Sequence, residues 1–318
     1  MLSSCCGFID EPIDGKLRRS VEGDLLAAEL IGGATDDDYI ARSRYVLQEF
    51  EVEETVNDNR DSSAYLDIEC AYKMLDGGYL PLEHGYVRTS DGSWLIACRT
   101  DLGQECTGKH FDWWFSNCDN TERYRWWHPV DHVVGEWNPQ YYSTQPEDRK
   151  PGHYIGHVHK VKEKINGIEQ ELFIEFERPS KHFETERFQD TNVTACVCGK
   201  IYLFDKVIGL LRIGNLIHMV RLNSDGNSEL RSRFWIGDVR KIRNAGSVFG
   251  RILPTSLINY LGNTYLFRLL RAPKSLARGI WLHCSQEMTC LREFLPHFYQ
   301  SRINEYKRNK LEKIKIKI

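Results

Sequence analysis

With 318 residues, 41% of them hydrophobic and 12% aromatic, the chain has enough apolar material for one large core, or one core and a smaller appended region, so disorder is not its expected state. The formal net charge of −3 removes any bulk-charge argument for a nucleic-acid or acidic-surface partner, although acids gather early (Asp36, Asp37, Asp38, then Glu51, Glu53, Glu54) and bases late (Lys307, Arg308, Lys310, Lys313, Lys315, Lys317). Ten cysteines in a chain this long read as reduced thiols. The opening MLSSCCGFIDEP is no secretory leader, and no run approaches the roughly 18 apolar residues of a bilayer span, so a cytoplasmic protein without membrane or nucleic-acid partners is expected.

In chain order, a helix is expected from Thr35, with acids in its first turn and Tyr39, Ile40, Val46 and Leu47 along it. A second covers residues 62–75, with Gly77 and Gly78 as stops. Another over residues 108–115 carries Trp113 and Trp114 and leads into the aromatic stretch RYRWWHPVDH. After Pro139, Pro146 and Pro151 the periodicity changes from helical to alternating. Asn166-Gly167 is the preferred type I′ pair of a two-residue hairpin, and it sets the register around it. Ile165 then faces Ile168, Glu163 faces Gln170, Val161 faces Leu172, His159 faces Ile174 and His157 faces Phe176. The other side sets Lys164 against Glu169 and Lys162 against Glu171, as a solvated face requires, so His157, His159 and Glu163 turn inward.

Further strands are expected over residues 193–204, 214–222 and 229–236, the last two joined at Asp225-Gly226, in a mainly antiparallel sheet. Helical propensity returns after residue 254 and ends in a long amphipathic helix over residues 280–306 that can lie across the sheet. Its apolar stripe, Ile280, Cys284, Leu291, Phe294 and Phe298, contains Glu287 and has His283 at its border. An i, i+4 His–Glu pair facing a core is either an ordinary helix pair or half of a metal clamp, because a buried carboxylate needs a proton, a partner or a cation. A catalytic zinc needs about three protein ligands, and the other inward candidates are His128, His132, His157, His159, Glu163 and His218.

The blocks FDWW, RYRWWHPVDH, IGHVHKVKEKINGI, IHMVRLNSDGNSELRSRFWIG and WLHCSQEMTCLREFLPHFYQS, in this order over residues 105–305, resemble the 2,4-diacetylphloroglucinol hydrolase family, which includes phloretin hydrolase. The resemblance implies an α+β fold: a mainly helical region over residues 1–104, a helix-grip (Bet v 1-like) catalytic domain over 105–306 in which a curved antiparallel sheet wraps a long C-terminal helix, and a basic tail over 307–318. It implies zinc-dependent hydrolysis of the carbon–carbon bond between an acyl group and a polyhydroxylated ring, with zinc (Zn2+) held by His, Glu, His and Glu. By motif these fall on His128, Glu163, His283 and Glu287, with His159 the alternative to Glu163 by spacing; Glu163 could also serve as a base. His218 would act as acid or base and Arg233 would bind a phenolate oxygen. The family's substrate-contacting Tyr falls on Asn120, with Tyr124 nearby, and Trp127, His132 and Trp235 would line the substrate pocket. The partner implied is a small phenolic molecule, with a homodimer left open. A non-enzymatic helix-grip binder of apolar ligands and a zinc hydrolase acting on a polyketide-like acyl substrate are the competing readings.

Overall fold

The computed structural model describes residues 35–50, 64–243 and 246–315; the opening MLSSCCGFIDEP, Cys5 and Cys6, the acids at 51, 53 and 54 and the first two residues of the expected 62–75 helix lie outside them. Helix α1 (Asp36–Gln48) begins at a reciprocal capping box, the Thr35 N–H donating to Asp38 Oδ2 at 2.7 Å. Its Tyr39 stacks on Trp126 with ring centroids 4.4 Å apart, which ties the helix to the inner core. The next expected helix is a tighter 3-10 helix over Ile68–Leu75.

Residues 85–103, expected within the helical region, are strands instead: β1 (Gly85–Arg88) and β2 (Trp94–Gly103). In Trp94-Leu95-Ile96-Ala97-Cys98 alternate residues enter two different cores, the behaviour of a strand buried on both faces. The sheet therefore starts well before residue 104. Helices α2 (Gly108–Asn117) and α3 (Thr121–Trp127) carry the chain to the far edge, where β3 (His132–Trp137) begins a meander through β4 (Val158–Ile165), β5 (Ile168–Glu177), β6 (Val193–Asp205), β7 (Gly209–Leu222) and β8 (Ser228–Arg243). The sheet order is β1-β2-β8-β7-β6-β5-β4-β3 and every pairing is antiparallel. The β4–β5 register matches the pairs expected from the Asn166-Gly167 turn, whose φ values of 51° and 75° are those of a type I′ hairpin.

Three short helices follow: α4 (Val248–Ile252), α5 (Thr255–Gly262) and α6 (Tyr265–Arg271). Helix α7 (Lys274–Lys315) then crosses the concave face of the curved sheet, which makes this a helix-grip fold. It starts earlier than expected and stays helical through the basic stretch up to Lys315. Trp281, Cys284, Met288, Leu291, Phe294 and Phe298 of α7 form the inner core with Trp114, Trp126 and Trp127. On the convex face Ala71, Met74 and Leu75 pack against Val87, Leu95 and Trp235. Among the described residues no helix is long and apolar enough to cross a membrane.

The convex core contains two fully buried guanidinium groups. Arg231 donates from Nε to Glu83 Oε2 at 3.0 Å and Arg233 donates from Nη2 to the same oxygen at 2.6 Å, while the Met74 carbonyl accepts from Arg231 Nη1 and the Leu82 carbonyl from Arg233 Nη2, each at 2.8 Å. Burial works against the Glu83 charge, but the two arginines outweigh it and hold its carboxyl below the usual range. Removing the shared anion strands two cations in an apolar layer, so Glu83→Ala is expected to cost about 3–5 kcal/mol in urea denaturation. A change under about 1 kcal/mol would show that the arginines are solvated there.

Candidate metal centre

Helix α3 stops at Trp127 because the residue before Pro129 is pushed out of the helical region, and His128 takes an extended conformation at φ −146°, ψ 90°. The chain then turns through Asp131, and His132 opens β3 directly opposite Glu163 of β4. His283 and Glu287 lie one turn apart on α7, above that strand pair. His132 Nε2 is 3.3 Å from His283 Nε2 and 3.5 Å from Glu287 Oε2. His283 Nε2 is 3.8 Å from Glu287 Oε2 and 3.9 Å from Glu163 Oε2. All four residues are buried.

The groups behind these atoms fix their orientation. His132 donates its Nδ1–H to the Tyr124 carbonyl at 2.7 Å and stacks on the Tyr124 ring, centroids 3.8 Å apart and planes within 2°. His283 donates its Nδ1–H to Asp131 Oδ2 at 3.0 Å. With both Nδ1 protons committed to acceptors, both Nε2 atoms point at the same spot, and each offers a lone pair there when its ring is neutral. The Tyr124 hydroxyl donates to Glu163 Oε1. Tyr124 can lie here because β3 has no side chain at Gly135, where a Cβ would come within 2.6 Å of the ring.

His128 is oriented differently. Its Nδ1 accepts the Asp131 N–H at 3.0 Å and its Nε2 donates to Gln286 Oε1 at 3.3 Å, with Asp131 Oδ2 at 3.6 Å. His128, Asp131 and His283 form a second potential metal-holding group, overlapping the trio of His132, His283 and Glu287. Asp131 is half-buried, whereas the members of the His132 trio are all buried.

Burial in this apolar site raises the Glu287 carboxyl to about 8 even with His283 beside it. Burial also opposes charge on His283, but the Asp131 hydrogen bond and the Glu287 and Glu163 carboxylates outweigh it and raise its pKa to about 9. His132, buried beside His283 and His128, is held well below the ordinary histidine value. At neutral pH both Glu287 and His283 thus hold protons where a cation could sit.

A cavity of about 100 Å³ runs from Glu163, His283 and Glu287 into the space between sheet and helix. Its walls include Tyr124, Trp127, His159 and His218 together with Phe115, Leu172, Phe176 and Phe234. The Trp127 indole N–H is buried without an acceptor. His218 Nδ1 is 2.7 Å from Ser232 Oγ, and burial lowers its pKa to about 3, so the ring is neutral. His159, stacked on Trp137 at 4.4 Å, is lowered to about 3 by burial as well. An outer chamber of about 470 Å³, bordered by the exposed Glu169, Lys206 and Arg271, shares Gln170, Ile213, Ile236 and Leu276 with the inner cavity.

Three expected site residues lie elsewhere. Asn120 is the N-cap of α3, its Oδ1 accepting the Arg123 N–H at 2.8 Å. Arg233 and Trp235 point to the convex face, the first bound to Glu83 and the second donating its indole N–H to the Leu66 carbonyl at 2.6 Å. Strand alternation is the reason: Ser232 and Phe234 face the cavity beside His218, so their neighbours cannot. Asp131, Gln286 and Ser232, which support the site, went unmarked in the sequence, although Asp131 lies within the PVDH block.

The DAPG hydrolase PhiG domain model matches residues 66–300. No curated relative matches the sequence. Among solved structures, the crystal structure of Ara h 8.0201 matches over 62% of this chain and 98% of that chain, at 12% identity and a TM-score of 0.28, a likeness on which nothing is built.

A metal must displace the protons held by the cluster. Affinity for a divalent cation is therefore expected to rise with pH up to about 9, where the His283 proton leaves, with protons released on binding. Titration calorimetry in buffers of different ionisation enthalpy measures this. Binding that is flat between pH 6 and 9 would contradict the arrangement.

Proposed function

This chain belongs to the DAPG hydrolase family, and from that premise we propose that it is a zinc-dependent hydrolase cleaving the carbon–carbon bond between an acyl group and a polyhydroxylated aromatic ring. The observation that carries the reading is the convergence of His132, Glu163, His283 and Glu287 at the head of an aromatic cavity. Ligand atoms about 2.1 Å from a tetrahedral zinc stand about 3.4 Å from one another. The 3.3–3.8 Å separations within the trio of His132, His283 and Glu287 fit that spacing, Glu163 stands 3.9 Å from His283, and a donor set of two imidazoles and two carboxylates suits zinc. The first histidine of the set is therefore His132 in place of His128, which serves to hold Asp131 against His283. Glu163 is preferred over His159, which stacks on Trp137.

Zinc bound there supplies Lewis-acid polarisation of the acyl carbonyl and a water whose pKa is lowered towards 7. The rest falls to the chain. Glu163, hydrogen-bonded to the Tyr124 hydroxyl, takes the proton of the attacking water. Tyr124, its pKa raised well above the ordinary value by burial and by Glu163, stays protonated, its one O–H donating to Glu163 while its oxygen is left to accept from a substrate hydroxyl. At the other wall His218, neutral at rest, passes a proton from a ring hydroxyl to the ring carbon bearing the acyl group, giving the keto tautomer whose bond to the acyl group can break, and Glu163 returns the water's proton to the phenolate as it leaves. The water oxygen ends in the carboxylic acid and the ring carbon gains a proton, so acylphenol and water give phenol and acid. The aromatic walls exclude bulk water and suit a flat phenolic substrate.

Metal analysis tests the centre: near-stoichiometric zinc is expected in the parent and in His128→Ala, and little in His132→Ala or Glu287→Ala. Zinc lost from His128→Ala and kept in His132→Ala would move the site to the other group. Asp131→Ala is expected to bind zinc about 10–100-fold more weakly. With acylphloroglucinols as substrates, His218→Ala and Tyr124→Phe are expected to keep zinc and lose roughly 10²–10⁴-fold in kcat. A zinc-loaded parent that releases no carboxylic acid from any of them would refute the reaction.

A further inference from the structure

The three helices between β8 and α7 turn their apolar residues outward. On α6, Leu266 is 65% and Leu270 70% exposed, and Tyr265 and Leu269 share that side, while Arg268 points inward at 8%. Arg268 is held there by the Gly237 carbonyl at 2.8 Å, the Asp91 carbonyl at 3.1 Å and Asn263 Oδ1 at 2.7 Å. On α5 the exposed stripe is Leu257, Tyr260 and Leu261, spaced i, i+3, i+4, and the helix is fixed to β8 through polar groups, Asn259 accepting the Lys241 N–H at 2.7 Å and Asn263 donating to the Val239 carbonyl at 2.7 Å. On α4, Val248 and Ile252 are more than 70% exposed, and the buried Lys241 ammonium binds the Gly250 and Leu253 carbonyls beneath them. A helix packed on a globular core normally does the reverse, so this face is built to meet an apolar medium.

Charge identifies that medium. From Val239 to Gln286 the sequence contains no Asp or Glu, and Arg251 and Arg271 are exposed beside the apolar stripes. A two-fold contact between copies would set this basic rim against itself, whereas an anionic surface complements it. Exposed leucines and isoleucine with tyrosines and a basic rim, on helices too short to span, have the composition of an interfacial lipid-binding face. We infer that α4–α6 dock this protein on an anionic lipid surface. Phe267 and Arg271 on the other side of α6 line the outer chamber, so docking sets its mouth beside the bilayer, where apolar substrates collect.

Vesicle flotation of the full chain tests this, with phosphatidylcholine alone and with about a third phosphatidylglycerol. Binding is expected to the anionic vesicles, at least roughly tenfold weaker in Leu266→Asp/Leu270→Asp and in Arg251→Glu/Arg271→Glu, and weaker at high salt. Zinc content and circular dichroism report whether the variants fold. A parent that fails to float with anionic vesicles overturns the inference, whatever its activity on soluble substrates. So does a parent that is dimeric by analytical ultracentrifugation and becomes monomeric in Leu266→Asp/Leu270→Asp, since the face would then be covered by a second copy.

Discussion

Two carboxylates, Glu163 and Glu287, are buried at the junction of β4 and α7, and among the described residues no lysine or arginine forms an ion pair with either. An anion in such a place costs several kcal/mol unless something positive meets it. Here Glu287 is relieved by holding its own proton and Glu163 by the protonated His283, or both by a metal ion, and the surrounding structure serves that requirement. His132 and His283 face each other across the spot, Tyr124 and Asp131 hold their far nitrogens, and His128 with Gln286 holds Asp131. The contrast with the convex face is instructive. Glu83 is buried there too, but two arginines neutralise it permanently, and that carboxylate has only a structural role.

Much of this was legible in the sequence wherever a local rule fixed geometry. Asn166-Gly167 determined the hairpin register and thereby turned Glu163 inward, and the apolar stripe of α7 put His283 and Glu287 against the sheet. WWHPVDH contains two histidines four residues apart, straddling a helix end. Once Pro129 ends the helix, its period no longer says where either ring points; both are buried, and the strand beginning at His132 brings that ring within 3.5 Å of Glu287.

Other differences arose where a motif outweighed a local rule. His218 pairs with Ser232, and alternation from that pair already turns Arg233 and Trp235 to the other face. Asn120, followed by Thr-Glu, has the composition of a helix cap. Strand β2 was overlooked because an apolar run buried on both faces carries no period. The near-neutral total charge likewise hid the acid-free stretch that carries α4–α6.

The ligand-bearing elements also bear on how the molecule is assembled. Residues 132, 163, 283 and 287 come together only after the meander has returned to β8 and α7 has crossed it. Any fragment that ends before α7 lacks two of these four residues, so a nascent polypeptide cannot assemble the cluster before its C-terminal helix has emerged and docked. The cluster therefore closes late, through contacts such as that of His132 with His283 across 151 positions of sequence, and a metal ion bound there would add its coordination free energy to them.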